Sequence, residues 1–124
     1  MAPAGKEVNL DSRFAAAKEA GMTSERVDPA DCRTMAEVRG GVDTLDAEIV
    51  TLIGERFRYM DAAARIKPER RAVRDEARKA EVLANVARHS AAAGVPVEVA
   101  AALWERLVEA SIAYEFERFD ELRK

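Results

Sequence analysis

The stretch 34-TMAEVRGGVDTLDAEIVTLIGERFRYMDAAARIKP-68 decides the fold. Thr34 followed three residues later by Glu37 forms a capping box, in which each side chain satisfies a free backbone N–H of the other residue, so a helix begins here. Apolar residues then recur at Val38, Val42, Leu45, Ile49, Leu52, Ile53, Met60 and Ala63. Steps of three and four residues place them along one face of a helix. Pro68, which has no N–H to continue the ladder, stops the run. Gly40 and Gly41 each disfavour helix by about 1 kcal/mol, so the first turns are expected either to loosen or to pack close to another backbone.

Downstream, Asp75 is a good N-cap for a second helix that runs through Val82 and Val86 to Gly94, a good C-terminal stop. Pro96 opens a third helix, where its missing N–H costs no hydrogen bond, and this helix continues towards the C-terminus. Its inner face reads Ala100, Trp104, Leu107, Val108, Ser111, Ile112, Glu115, Phe119 and Leu122. No alternating run persists, so no strand is predicted and the fold class is all-α with three helices per subunit. Upstream, residues 1–30 read as an accessory leader with a short helix from Ser12 to Ala20 closed by Gly21, and residues 31–124 as the helical domain.

Length adds a second inference. Met35 to Ile66 is 32 residues, about 48 Å of helix at 1.5 Å per residue. A compact chain of this size has a radius of gyration of about 14 Å and spans about 35 Å. The first helix should therefore protrude with its apolar stripe uncovered, and the simplest cover is a second copy. An intertwined homodimer is expected.

The composition excludes several classes of function. Twenty Lys and Arg against twenty-three Asp and Glu give a net charge of -3, so no global positive field attracts nucleic acid or an anionic membrane. The N-terminal residues lack the apolar core of a signal peptide, and no run approaches the roughly 18 apolar residues that span a bilayer, which points to a cytoplasmic protein. One cysteine, Cys32, and one histidine, His89, fall short of a zinc site, and neither is placed to act as a nucleophile or base. His89 fits a solvated helix face and Trp104 fits the core stripe.

Several charged residues interrupt the apolar faces. Continuing the first helix's stripe in steps of three and four from Ile49 and Leu52 reaches Arg56, then Met60 and Ala63, then Lys67; Arg39 lies at the stripe's edge beside Val38. On the third helix the same extension from Trp104 and Val108 reaches Ser111 and Glu115. A buried cation must pair with a carboxylate, snorkel outward or meet an anionic ligand. Two readings follow. Either Glu115 forms an internal ion pair with Arg56 or Lys67, or these residues line a pocket for a small, multiply anionic molecule.

With these residues in place, the chain resembles the all-helical chorismate mutases and the related isochorismate pyruvate lyases. The segment DCRTMAEVRGGVDTLDAEIVTLIGERFRYMDAAARIK is similar to their long first helix, including an arginine before an IDxID-like stretch, here Val42-Asp43-Thr44-Leu45-Asp46. RAVRDEARK resembles the entrance of their second helix and SIAYE the site segment of their third. The resemblance covers about residues 31–124 and implies an interlocked homodimer of the chorismate mutase type II architecture that binds a small dicarboxylate. It further implies that Arg56 and Arg39 grip the two carboxylates, with Arg39 arriving from the second subunit. Lys67 would bridge a carboxylate and the ether oxygen of the breaking bond, and Glu115 would face that oxygen. Arg78, Lys79, Ser111 and the backbone near Asp75 would complete the pocket. No metal or cofactor is implied, because the rearrangement of chorismate to prephenate is pericyclic and is served by conformer selection and positive charge.

Two positions depart from the family pattern. Many mutases have a glutamate after the second-helix arginine to hold a ring hydroxyl, and Lys79 stands there; the lyases also lack that glutamate. At 115 many bacterial members have glutamine, whereas glutamate occurs in some mutases and donates a hydrogen bond only while protonated. Chorismate mutase is the first expectation and isochorismate pyruvate lyase the alternative. A non-catalytic helical dimerisation module is the alternative of another class.

Overall fold

The computed structural model describes residues 26–124; the predicted leader helix Ser12–Ala20 lies outside them. Three α-helices account for the described residues, with no strand among them: α1 over Met35–Ile66, α2 over Glu76–Ala93 and α3 over Val97–Leu122. One-turn 3₁₀ helices at Pro29–Asp31 and Arg70–Ala72 precede α1 and α2.

Each helix ends where local chemistry dictates. The capping box forms at the start of α1, with the Glu37 N–H donating to Thr34 Oγ1 at 3.2 Å and the Thr34 N–H to Glu37 Oε1 at 3.2 Å. The Arg33 N–H donates to the same glutamate at 2.7 Å. Gly40 and Gly41 do not interrupt α1. Asp75 caps α2, its side chain accepting from the Arg78 N–H at 3.0 Å. Gly94 ends α2 in the left-handed region at φ 78°. Its N–H reaches Ala91 O at 3.4 Å while the Val95 N–H reaches Ser90 O at 2.9 Å, the two-bond closure that satisfies carbonyls at a helix end. Only a residue without Cβ adopts this φ cheaply. Pro96 then starts α3, its carbonyl accepting from Val99 and Ala100 at 3.0 and 3.1 Å.

The described residues divide into two compact units, 26–56 and 57–124, with α1 contributing to both. In the first, the segment before α1 folds back on it. The Arg26 side chain lies 3.9 Å from the position a Cβ would take at Gly41, and its guanidinium is 3.5 Å from Glu48, a buried carboxylate. A shallow apolar hollow between this segment and α1 is lined by Val27, Pro29, Cys32, Val38, Val42 and Leu45. Along α1, Val38, Val42, Leu45 and Ile49 remain 39 to 50% exposed.

The second unit holds the buried core. Ala64, Val73, Val108, Ile112 and Phe119 cluster together, and Val82, Trp104 and Phe116 pack against them. Three residues separate α2 from α3, so the pair forms a helical hairpin over this core. His89 is exposed, as its helix position predicts. No described helix is long and apolar enough to cross a membrane.

Candidate functional site

Lys67 and Glu115 meet in the second unit. Lys67 follows directly on α1, its N–H donating to Ala63 O at 2.9 Å, and its side chain runs to α3, where Nζ stands 2.8 Å from Glu115 Oε2. Glu115 is 4% exposed, flanked on its helix face by Ser111, Ile112 and Phe119, all buried. Removing one partner of such a pair strands a charge and costs about 3–5 kcal/mol. The ammonium approaches Oε2 at contact distance but outside hydrogen-bonding alignment, and no other donor is aligned on that oxygen. Nζ also lies 3.5 Å from Val73 O, a long contact. An ammonium has three N–H donors, so Lys67 can stay with Glu115 and still serve an anion.

The connection from α1 to α2 is pinned to α3 along its length. Val73 is buried in the core. Arg70 lies over the Phe116 ring at 4.6 Å and holds Asp120 through Nε at 2.9 Å and Nη2 at 3.3 Å. Arg74 grips both oxygens of Glu109, at 2.6 and 3.2 Å, and reaches Glu76 at 2.9 Å. Lys79 joins the same cluster, 2.9 Å from Glu105 and 2.7 Å from Glu109. Donation from Arg74, then from Lys79, pushes the Glu109 carboxyl down to about 2, and hydrogen bonds to Glu109 and Glu105 raise Lys79 against its desolvation.

A second set of polar contacts joins α1 to α3. The Tyr114 hydroxyl donates to Asp61 at 2.6 Å, Arg118 Nε donates to the same oxygen at 3.1 Å, and Phe57 meets Tyr114 edge-on at 5.0 Å. The Tyr114 bond holds the Asp61 carboxyl below its ordinary range and, reciprocally, pushes the phenol up.

The other sequence-predicted residues have identifiable surroundings. Arg78 is exposed and pairs with Glu81 at 2.7 Å, one turn along α2. Asp75 caps α2. The Ser111 hydroxyl donates to Leu107 O at 2.7 Å within its own helix. Lys79 is held between two glutamates. Arg39 is exposed near the start of α1 and Arg56 is half-buried further along it; both belong to the first unit. Periodicity did not reveal Arg74, Tyr114 or Arg123, because their partners lie 35 to 59 residues away.

Residues 38–116 match the chorismate mutase type II family model. The chain belongs to that family. Lys67 and Glu115 both lie inside the matched span. The chain is also 28% identical, over 95 residues, to the isochorismate pyruvate lyase of Pseudomonas aeruginosa, an alignment covering 77% of this chain and 94% of the relative. The chorismate mutase type II family is an enzyme family that takes a small substrate; the family description names the mutase, and the relative's name a lyase.

Proposed function

We propose that this chain is a chorismate mutase, converting chorismate to prephenate without metal or cofactor. The observation that carries the reading is the Lys67 ammonium held 2.8 Å from a buried carboxylate, Glu115, within the family-matched span. Lys67 supplies positive charge where the ether oxygen becomes negative, and Glu115 holds the ammonium in place or, when protonated, donates to that oxygen itself. Preorganised donors of this kind are worth about 2.7–4 kcal/mol each in the transition state. Arg56 and Arg39 enter the proposal from the sequence resemblance, as the grips for the two substrate carboxylates. Arg78, Asp75 and Ser111 enter it as the pocket's remaining polar lining.

A second copy of the chain completes the assembly in this reading. The support is the row Val38, Val42, Leu45 and Ile49, all substantially exposed along α1, a patch that monomeric proteins rarely leave open. Arg39, on the same stretch of α1, then reaches the partner's pocket.

One observation favours a second reading, isochorismate pyruvate lyase activity. Lys79 stands where many mutases carry a hydroxyl-binding glutamate and is engaged by Glu105 and Glu109. Both reactions break the ether bond to the pyruvyl group, and Lys67 would stand at that oxygen in each. Incubating the purified protein with chorismate and with isochorismate separates them: prephenate is expected from the first, whereas salicylate with pyruvate from the second identifies the lyase. Turnover of neither substrate removes the enzymatic reading and leaves the Lys67–Glu115 pair as internal scaffolding. In that case a dicarboxylate transition-state mimic also fails to raise the melting temperature; a true ligand at 100 times its Kd adds about 2.7 kcal/mol.

The role of Glu115 has its own test. Glu115→Gln keeps the shape and supplies an N–H donor but removes the charge: retained turnover supports Glu115 as a donor to the ether oxygen, and loss of turnover assigns it to holding Lys67.

A further inference from the structure

Pro68 creates a vacancy that the far end of the chain fills. In a continuing helix the N–H of residue 68 would bond to the carbonyl of residue 64, and proline has no N–H. Ala64 is 0% exposed, so water cannot take the place of the missing donor, and an unmet buried carbonyl is costly. Arg123 supplies the donor. Its Nη1 reaches Ala64 O at 3.0 Å and its Nη2 reaches Lys67 O at 2.8 Å, so one planar guanidinium spans two carbonyls at the end of α1. The same Nη1 touches Phe119 O at 3.3 Å, and the guanidinium carbon lies 3.6 Å from the centre of the Phe119 ring, itself buried in the core. The fork is thereby fixed from below and its positive charge faces the negative end of the α1 dipole.

We propose that Arg123 is a positioning residue for Lys67, fixing the backbone from which the Lys67 ammonium reaches Glu115. This rests on the reading of Lys67 as the cation that faces the substrate. Positions 115 and 123 on α3 are about 12 Å apart along the helix axis. The Lys67 backbone is held near Arg123 and its ammonium near Glu115. The Lys67 side chain runs from one of these points to the other, so where its backbone is held sets where its ammonium can reach. Loosening the anchor by about 1 Å is enough to cost up to 10²-fold in rate. Lysine at 123 would keep the charge, but a single ammonium lacks the planar fork that spans two carbonyls.

Pro68 also makes capping separable from positioning. Pro68→Ala returns an N–H to Ala64 O and so replaces the capping half of the Arg123 contact, while Lys67 O still depends on Arg123. The experiment compares the wild-type chain, Arg123→Ala, and Pro68→Ala with Arg123→Ala, at a temperature where far-UV circular dichroism shows each fully helical. Two readouts are taken: kcat and KM on whichever substrate the wild type turns over, and the acetic anhydride labelling rate of Lys67 relative to Lys79, by peptide mass spectrometry. In both variants kcat is expected to fall about tenfold with KM changed less than threefold, and relative labelling of Lys67 to rise at least threefold. The double variant is expected to regain melting temperature without regaining kcat. Full recovery of kcat and labelling in the double variant overturns the proposal, since Arg123 is then a helix cap alone. So does an equal loss of kcat when Arg123→Ala is placed in a Lys67→Ala background. If the wild type turns over neither substrate, the enzymatic reading falls, and the labelling ratio still decides whether Arg123 holds Lys67.

Discussion

Residues 26–56 and residues 57–124 contain the same kind of helix and treat it oppositely. In the first, the apolar stripe of α1 is largely exposed and its buried carboxylate, Glu48, is met by Arg26 from the preceding segment. In the second, the fully buried residue is Ala64, one position past the Ala63 that the spacing reached, and α1, α3 and the connection between α1 and α2 are joined by arginines that each find a carboxylate or a carbonyl. The difference teaches that a stripe of constant period says which face is apolar and leaves open what covers it. The second unit carries its own cover, and the first leaves the stripe exposed.

The largest effect expected from breaking this contrast comes from Val42→Asp combined with Ile49→Asp. If a second copy covers the stripe, each copy loses two side chains worth about 2 kcal/mol apiece, four in the dimer, and association weakens by about a millionfold. Sedimentation velocity reads this directly, and a wild-type chain that sediments as a monomer at tens of micromolar removes the dimer from the proposal. In the self-covered unit, Ile112→Ala is expected to cost about 3 kcal/mol in urea unfolding, from lost burial plus a residual cavity. Val50→Ala, at a position 66% exposed, should stay within about 0.5 kcal/mol; equal costs at the two sites would erase the distinction. Thr34→Ala removes one half of the capping box and is expected to lower stability by about 1 kcal/mol, visible as earlier fraying of α1 in amide exchange.

The smallest effect is electrostatic. Glu109 is shifted from the ordinary 4.5 down to about 2 by Arg74 and Lys79. Because the folded value is the lower one, its contribution to stability is complete above about pH 4.5 and is lost as pH falls towards about 2. Glu109→Gln should make the decline in stability between pH 4.5 and 2 shallower. The group is solvent-accessible, so the change in slope is small, and added salt should shrink it further.

Helix ends were legible in the sequence because their causes are local: Thr34 with Glu37, Asp75, Gly94 and Pro96 each act within a turn. The Lys67–Glu115 encounter was legible as one of two readings, since both residues fall on apolar faces of helices that must pack. The connection's attachments were not. Arg74, Lys79 and Arg123 meet partners that no spacing rule links to them, and the pairing is set by how α1, α2 and α3 pack around Val73 and Phe119. Pro68 was the nearest thing to a signal, because a proline there orphans the Ala64 carbonyl; which side chain answers depends on the tertiary fold. Lys79 was placed at the pocket by resemblance, and the structure shows it between Glu105 and Glu109.

That last arrangement bears on the routes by which such a sequence can change. A glutamate at 79, the residue many mutases carry, would set three carboxylates against one another and leave Arg74 to share among them. The substitution becomes tolerable once Glu105 or Glu109 has already been replaced. Lys79→Glu should therefore be better tolerated beside Glu105→Gln or Glu109→Gln than alone.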